Sequence, residues 1–266
     1  MINLFGRKKP DNIVFLVGCG RSGTTLLSSL IGSCSNTHIL NERRDLWHKV
    51  FPELNIWDNI NSVLDFKNSD YNTKKYEKIR SVFFKQAKRH KKNNILEKLP
   101  VNCFRLNFIS KAFPEAKFIV IRRNPLEVAA SIEEKIGKGN WYGVNDNKLR
   151  LLIEYAKSNN IEIEDFLKTD FNKGLLEWRL SNIAINKFFN ESNKDFFSIN
   201  YSNLTLNAKE ILTEAFNFLE IKYDEEALIN CCESVYKNQR NNENIKNNIE
   251  NNQKEFLITE GFFQEK

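Results

Sequence analysis

The sequence predicts an α/β fold, a single domain in which helices flank a central parallel sheet of the phosphate-loop type. Apolar segments typical of buried strands alternate with segments of helical periodicity, which favours parallel strands joined by right-handed crossovers. The first strand also runs directly into a glycine-containing turn and then a helix, as in nucleotide-binding proteins. Because 266 residues can bury a sizeable core without division, we expect one domain over residues 1–266.

The first strand, loop and helix lie in the stretch IVFLVGCGRSGTTLL. Residues 13–17 are apolar and rich in β-branched or aromatic side chains, which suits a buried strand. Four residues separate Gly18 from Gly23, the spacing of a phosphate-binding loop. A nucleotide-hydrolysing loop then requires Lys followed by Ser or Thr, but this chain has Thr24 and Thr25. The loop therefore lacks the lysine that reaches the β- and γ-phosphates in NTPases.

The remaining elements alternate in the same way. Further strands are expected around 38–40 and within NNILEKLP, AKFIVIRRNP and DFFSINY. Helices are expected within NERRDLWHKV, over 71–92, within CFRLNFISKAF, from Pro125 to about Lys135 with Asn124 as cap, over 146–157 and 172–190, and within TLNAKEILTEAFNFLEI. From about 238 to 255 the chain is polar and rich in Asn, with no apolar period.

Composition excludes several classes of protein. Lys and Arg number 40 against 34 Asp and Glu, a net charge of +6 that suits an anionic ligand but not a nucleic-acid-binding stripe. The five cysteines have no CxxC pair, and the three histidines are not spaced as metal ligands, so we expect neither a disulfide framework nor a metal. No signal peptide or membrane-spanning run is recognisable, which predicts a cytoplasmic protein without stable membrane insertion.

The second clear strand, KFIVIRR, ends in two arginines where a magnesium-dependent NTPase carries an acidic residue. A glycine-containing turn before a helix N-terminus binds anions with or without a lysine. The two features together favour a phosphorylated ligand whose charge is neutralised by protein cations.

Two motifs resemble one enzyme family. The loop GRSGTTLLSSL is similar to the phosphosulfate-binding loop of sulfotransferases that use 3′-phosphoadenosine 5′-phosphosulfate (PAPS). The stretch FIVIRRNPLEVAASI resembles that family's second signature, an Arg and a Ser that hold the 3′-phosphate. The form of the loop is similar to the bacterial and tyrosylprotein branch. The resemblance covers roughly residues 12–220, and it implies metal-independent transfer of a sulfuryl group from PAPS to an acceptor hydroxyl, leaving PAP.

The resemblance also implies site residues. The co-substrate would be held by Arg21, Ser22, Gly23, Thr24 and Thr25 around the 5′-phosphosulfate, and by Arg123, Ser131, Lys135 and Tyr201 around the 3′-phosphate and nucleotide. The catalytic set would be Glu42 as general base, Lys98 at the leaving oxygen and Arg21 at the sulfuryl group. Arg44 would face the substrate. The acceptor would be a small molecule or a glycan, and we favour a saccharide or glycolipid hydroxyl.

Alternatives remain for several residues. Glu42 also suits the first turn of a helix, where the dipole favours acidic side chains, and Lys98 also suits a surface ion pair with Glu97. Because side chains alternate along a strand, only one of Arg122 and Arg123 can face the ligand, and the spacing to Ser131 favours Arg123. The chain's tryptophans suit either the core or the site: Trp47, Trp57, Trp141 and Trp178.

The resemblance is weakest near the C-terminus. Many family members carry a segment there, with glycine and basic residues, that folds over the nucleotide. The corresponding YKNQRNNENIKNN has Lys237 and Arg240 but no glycine. Two other functions stay open at this point, a P-loop nucleotide kinase and a non-catalytic module that binds PAP or another nucleotide.

Overall fold

The computed structural model describes residues 9–66 and 72–239, and the sheet lies within them. In this part of the chain five strands pair in the order β2-β3-β1-β4-β5, and every pair is parallel. The strands are β1 (Asn12–Val17), β2 (Thr37–Asn41), β3 (Asn94–Lys98), β4 (Lys117–Arg122) and β5 (Phe196–Asn200). Each expected strand is present, so the prediction of an α/β fold with a central parallel sheet is confirmed.

Helices connect the strands and cover both faces of the sheet. They are α1 (Thr24–Cys34), α2 (Arg44–His48), α3 (Thr73–Arg89), α4 (Leu106–Ala112), α5 (Pro125–Gly137), α6 (Asn147–Ser158), α7 (Asp170–Glu191), α8 (Tyr201–Leu206), α9 (Ala208–Leu219) and α10 (Glu225–Gln239). None of the helices described is long and apolar enough to cross a membrane.

Three helical regions differ from the expectation. The short helix α8 (Tyr201–Leu206) is absent from the prediction, and it ends before α9 begins at Ala208. The helix predicted within CFRLNFISKAF is preceded by a 3₁₀ segment, Pro100–Arg105, and α4 begins only after it. The helix α10 is absent from the prediction, although Leu228, Cys232 and Val235 recur at helical spacing and are buried. It reaches the start of the Asn-rich segment. The rest of that segment lies outside the described residues, as does Arg240.

The central strand β1 is buried on both faces, which explains its continuous apolar run. Phe15 and Val17 point into a core shared with α3, α4, α6 and α7. Val14 and Leu16 point into a second core shared with α1, α9 and α10. Each face of the sheet is therefore covered by its own helical layer.

The parallel arrangement brings the carboxyl ends of the strands to one edge, where ligands bind in open α/β sheets. The register places Lys98, at the end of β3, beside Leu16 of β1 and beside Asn41 of β2. The residues that follow β1 and β2 in sequence therefore flank Lys98. The loop of residues 18–23 and the predicted base Glu42 meet there.

Candidate active site

The phosphate-type loop is held in a conformation that depends on left-handed backbone. Gly23 has φ of 92° and Arg21 has φ of 70°, a region that side chains other than glycine seldom adopt. A Cβ added at Gly23 would lie 2.2 Å from the Tyr201 ring, so the tyrosine packs directly on the loop. Ser22 and Thr24 are buried, and α1 starts at Thr24 with its free N–H groups at the loop.

The predicted 3′-phosphate residues lie beside this loop. The Arg21 side chain donates from Nε to Oγ of Ser131 over 2.9 Å. Arg123 donates to the backbone oxygen of Arg21 over 3.2 Å, and its guanidinium lies 4.3 Å from the Tyr201 ring centre. Lys135 is one turn further along α5 and half-buried. The two predicted motifs are thus adjacent in space.

Arg122 and Arg123 point to different sides of the β4 terminus. Arg122 donates to Oγ of Ser198 over 3.0 Å and to Oδ1 of Asn186 over 2.8 Å, away from the loop. The geometry therefore agrees with the choice of Arg123 as the residue that faces the loop. Trp178 donates from Nε1 to the backbone oxygen of Arg123 over 3.0 Å, so this tryptophan braces the strand end.

A buried lysine joins the loop to the predicted base. The Lys98 ammonium donates to Oγ1 of Thr25 over 3.0 Å and to Oε1 of Glu42 over 2.9 Å. The Glu42 backbone N–H donates to the Lys98 oxygen over 2.8 Å, which continues the β2–β3 pairing by one residue. Arg44 approaches the other carboxylate oxygen of Glu42, at 3.5 Å. One carboxylate therefore has a cation at each oxygen.

Two alternative interpretations of these residues are wrong. Lys98 and Glu97 do not form a surface pair, since both are only 1% exposed and alternate sides of β3 carry them. The Glu97 carboxylate instead accepts from Nε1 of Trp47 and Nδ2 of Asn102. Glu42 precedes α2 and lies outside its first turn.

The surroundings of Glu42 keep it ionised. Burial raises the pKa of its carboxyl, but the hydrogen bond and charge of Lys98, together with Arg44, outweigh burial and hold the pKa below its usual value. The carboxylate is 41% exposed, so it can be reached from the adjoining cavity. A group of this kind can accept a proton near neutral pH.

A cavity of about 290 Å³ opens between the loop and these charged side chains. Its functional lining comprises Arg21, Thr25, Glu42, Arg44, Trp57, Arg123, Asn140, Trp141, Lys148 and Glu177. The Arg44 guanidinium stacks on Trp57, 3.5 Å from the centre of its ring. Trp47 does not line the cavity and is buried in the core. Ser131, Lys135 and Tyr201 do not line this cavity, so it extends to the Glu42 side of the loop.

Sequence reasoning missed Lys148 and Glu177. They form a buried ion pair in the cavity wall, with 2.6 Å between Nζ and Oε1. In the sequence, the two residues lie on helices with many polar side chains, where a Lys or Glu usually faces solvent. No motif links them. Trp141, which suits a site lining as well as the core, is the nearest residue with a sequence signal.

The charge of the site comes from arginine and lysine side chains. Within residues 9–66 and 72–239, no group of three His, Cys, Asp or Glu side chains is arranged to hold a metal ion. Backbone N–H groups and guanidinium groups at the loop form a donor set for phosphate or sulfate oxygens.

One family profile matches the chain, and solved structures share its fold. The profile of the sulfotransferase family matches residues 13–225. The sulfotransferase STF9 from Mycobacterium avium has a similar structure, with TM-score 0.54 and 10% identity over 86% of this chain and 68% of that one. The sulfotransferase domain from the curacin biosynthetic pathway has TM-score 0.52 and 14% identity, over 83% and 77%. No curated protein sequence matches significantly.

Proposed function

Because the chain belongs to the sulfotransferase family, we propose that it transfers a sulfuryl group from PAPS to an acceptor hydroxyl, with Glu42 as general base. One observation carries this assignment. The ammonium of Lys98 contacts both Thr25 of the loop and the carboxylate of Glu42, within 3.0 Å of each. A proton acceptor thus lies one side chain away from an anion-binding loop, as transfer between a bound anion and a hydroxyl requires.

The residues around the loop fit PAPS. The left-handed turn at Gly23 and the start of α1 direct N–H groups to a phosphosulfate, with Arg21, Ser22, Thr24 and Thr25 around it. Arg123 and Ser131 would bind the 3′-phosphate, because a guanidinium can hold two of its oxygens at once. Tyr201 and Lys135 would complete this side. PAPS supplies the sulfuryl group, and PAP is the product.

The catalytic roles follow from charge and position. Glu42 accepts the proton of the acceptor hydroxyl, a step worth about 10²–10⁴ in rate. Lys98 and Arg21 stabilise negative charge on oxygens of the reacting group, the task that a divalent cation performs in kinases. Arg44 holds the second oxygen of Glu42 and faces the acceptor. We propose that these cations make a metal unnecessary.

The acceptor is proposed to be a small molecule or glycan, and more narrowly a saccharide or glycolipid hydroxyl. The cavity of about 290 Å³ is lined by the loop as well as by Glu42 and Arg44, so the acceptor group would share it with the phosphosulfate and is limited in size. Its walls are rich in charged side chains, which favour a polar acceptor over an apolar one. We further propose that residues 12–220 act as one catalytic domain.

The test is transfer from PAPS labelled in the sulfuryl group to pooled sugar, lipid, phenol and peptide acceptors. Labelled product is expected, and Glu42→Gln is expected to lower kcat/KM by about 10²–10⁴ while the Kd for PAP stays within about twofold. The matched control is Glu134→Gln, which changes an exposed glutamate.

Two outcomes would overturn the proposal. Tight binding of ATP with Mg²⁺, together with no contribution of the 3′-phosphate to affinity, would indicate a P-loop kinase. Tight PAP binding without transfer to any pooled acceptor would indicate a non-catalytic binding module.

A further inference from the structure

A second charge pair lies in the wall of the cavity that contains Glu42. Lys148 on α6 donates to Oε1 of Glu177 on α7 over 2.6 Å. Trp141, between α5 and α6, donates to Oε2 of Glu177 over 2.9 Å. Its ring also lies 4.5 Å from the Lys148 ammonium, so the tryptophan holds both charged partners. The Lys148–Glu177 pair is therefore fixed in position before any ligand binds.

Stability does not account for this pair. The two side chains are only 8% and 4% exposed, and removing two charges from water costs about as much as their attraction returns. An apolar pair of the same size generally serves a fold as well or better. The charges are nevertheless retained beside a cavity, where each has further hydrogen-bonding capacity that a ligand can use.

The pair belongs to the acceptor side of the site. Lys148 and Glu177 line the cavity together with Glu42, and the charge of Lys148 helps to lower the pKa of the Glu42 carboxyl. The loop residues Arg21 and Thr25 line the same cavity, whereas Ser131 and Tyr201 do not. The cluster also abuts the loop, since a Cβ on Gly20 would lie 3.1 Å from the Trp141 ring. An acceptor that presents a hydroxyl to Glu42 therefore extends along this wall.

We propose that Lys148 and Glu177 bind a second hydroxyl of the acceptor, next to the hydroxyl that is sulfated. This inference rests on the proposed function and specifies its substrate class, a polyhydroxylated group such as a sugar ring. A hydroxyl both donates and accepts hydrogen bonds, and it finds here a carboxylate that accepts and an ammonium that donates. A phenol or an aliphatic alcohol leaves the two charges desolvated and without that partner.

The same arrangement recurs on the other side of the cavity. Arg44 stacks on the ring of Trp57 and approaches the carboxylate of Glu42. Lys148 likewise lies over the ring of Trp141 and pairs with Glu177. The two tryptophan segments are joined where the N–H of residue 144 donates to the Trp57 oxygen over 2.8 Å. Two sides of one cavity thus each carry a carboxylate paired with a cation. A site built to bind a substrate hydroxyl rejects the analogue that lacks it by up to about 10⁴–10⁵.

The test uses the double variant Lys148→Met with Glu177→Leu, which removes both charges together and leaves neither buried alone. The acceptors are methyl glycosides of common hexoses, their monodeoxy analogues, phenol and 1-hexanol. The unaltered protein should prefer a glycoside and lose at least about 100-fold in kcat/KM when the neighbouring hydroxyl is missing. The double variant should discriminate less than about tenfold, with the Kd for PAP within about twofold. The exposed pair Lys168→Met with Asp165→Leu is the matched control.

The inference is overturned if the double variant retains the discrimination of the unaltered protein, if its Kd for PAP rises in parallel with its loss of transfer, or if the unaltered protein prefers phenol or hexanol. Absence of transfer to every glycoside overturns it as well. The Kd for PAP separates these failures from failure of the proposed function. A protein that binds PAP and sulfates phenol refutes only the inference, whereas one that does not bind PAP refutes both.

Discussion

Replacing Glu97 with Gln should make the fold more resistant to alkaline pH. Glu97 lies on β3, immediately before Lys98, and is 1% exposed. Burial raises the pKa of its carboxyl from 4.5 to about 8, although the hydrogen bonds from Trp47 and Asn102 oppose the rise. The folded protein therefore holds this proton at neutral pH, whereas the unfolded chain has released it.

The magnitude follows from that difference in pKa. Between pH 4.5 and about 8 the folded state binds one proton more than the unfolded state, so stability falls as the pH rises. Each unit of pKa difference corresponds to about 1.36 kcal/mol, which gives a loss of about 5 kcal/mol above pH 8. The amide introduced by Glu97→Gln does not titrate and escapes this loss. The Oδ1 atom of Asn102 is buried and lacks a hydrogen-bond partner. After a flip of the Asn102 amide, this oxygen can accept from the new side-chain amide at position 97.

The assay is urea denaturation of both proteins at intervals from pH 5 to pH 9. The difference in unfolding free energy, variant minus unaltered protein, should grow in favour of the variant by about 4 kcal/mol between pH 5 and pH 9. An exposed substitution, Glu134→Gln, should show no such trend. If Glu97→Gln and the unaltered protein lose stability in parallel between pH 5 and pH 9, the argument from burial is refuted.

Three further predictions concern the site. Lys98→Met should raise the pKa of Glu42, since it removes the hydrogen bond and nearest charge that lower it, and the acid limb of the kcat/KM profile should move to higher pH. Arg123→Lys keeps the charge but loses bidentate hydrogen bonding to the 3′-phosphate, so titration should show an affinity for PAP about tenfold lower. The affinity for adenosine 5′-phosphosulfate, which lacks the 3′-phosphate, should be unchanged. Gly23→Ala should abolish PAP binding and lower the Tm, because φ is 92° and the new Cβ would lie 2.2 Å from the Tyr201 ring.

The fold was predictable because its strands and most of its helices have strong local signals. β1 and β4 are apolar runs buried on both faces, and α5 begins with an Asn cap and a first-turn proline. The helix α10 has a weaker signal, because only Leu228, Cys232 and Val235 mark its buried face among many polar residues. Its packing on α1 involves residues distant in sequence and supplies the stability that so short an apolar stripe does not.

The loop residues and their neighbours at the sheet edge were predictable for a topological reason. Parallel strands end at one edge, so residues that directly follow β1, β2, β3 and β4 meet whatever their separation in sequence. The Lys148–Glu177 pair follows no strand. Lys148 lies on α6 and Glu177 on α7, and only the packing of these helices brings the two side chains together. A single sequence offers no periodicity or spacing rule that would join them.

The same topology explains how the loop functions without its own lysine. Thr24 stands where an NTPase has the cation, and its hydroxyl brings no positive charge to the loop. Lys98 enters from β3, the strand next to β1, and its ammonium lies 3.0 Å from Oγ1 of Thr25. A lysine on the loop would serve only the bound anion. A lysine on the neighbouring strand contacts the loop and Glu42 together, and its hydrogen bond and charge hold the pKa of that carboxyl below its usual value.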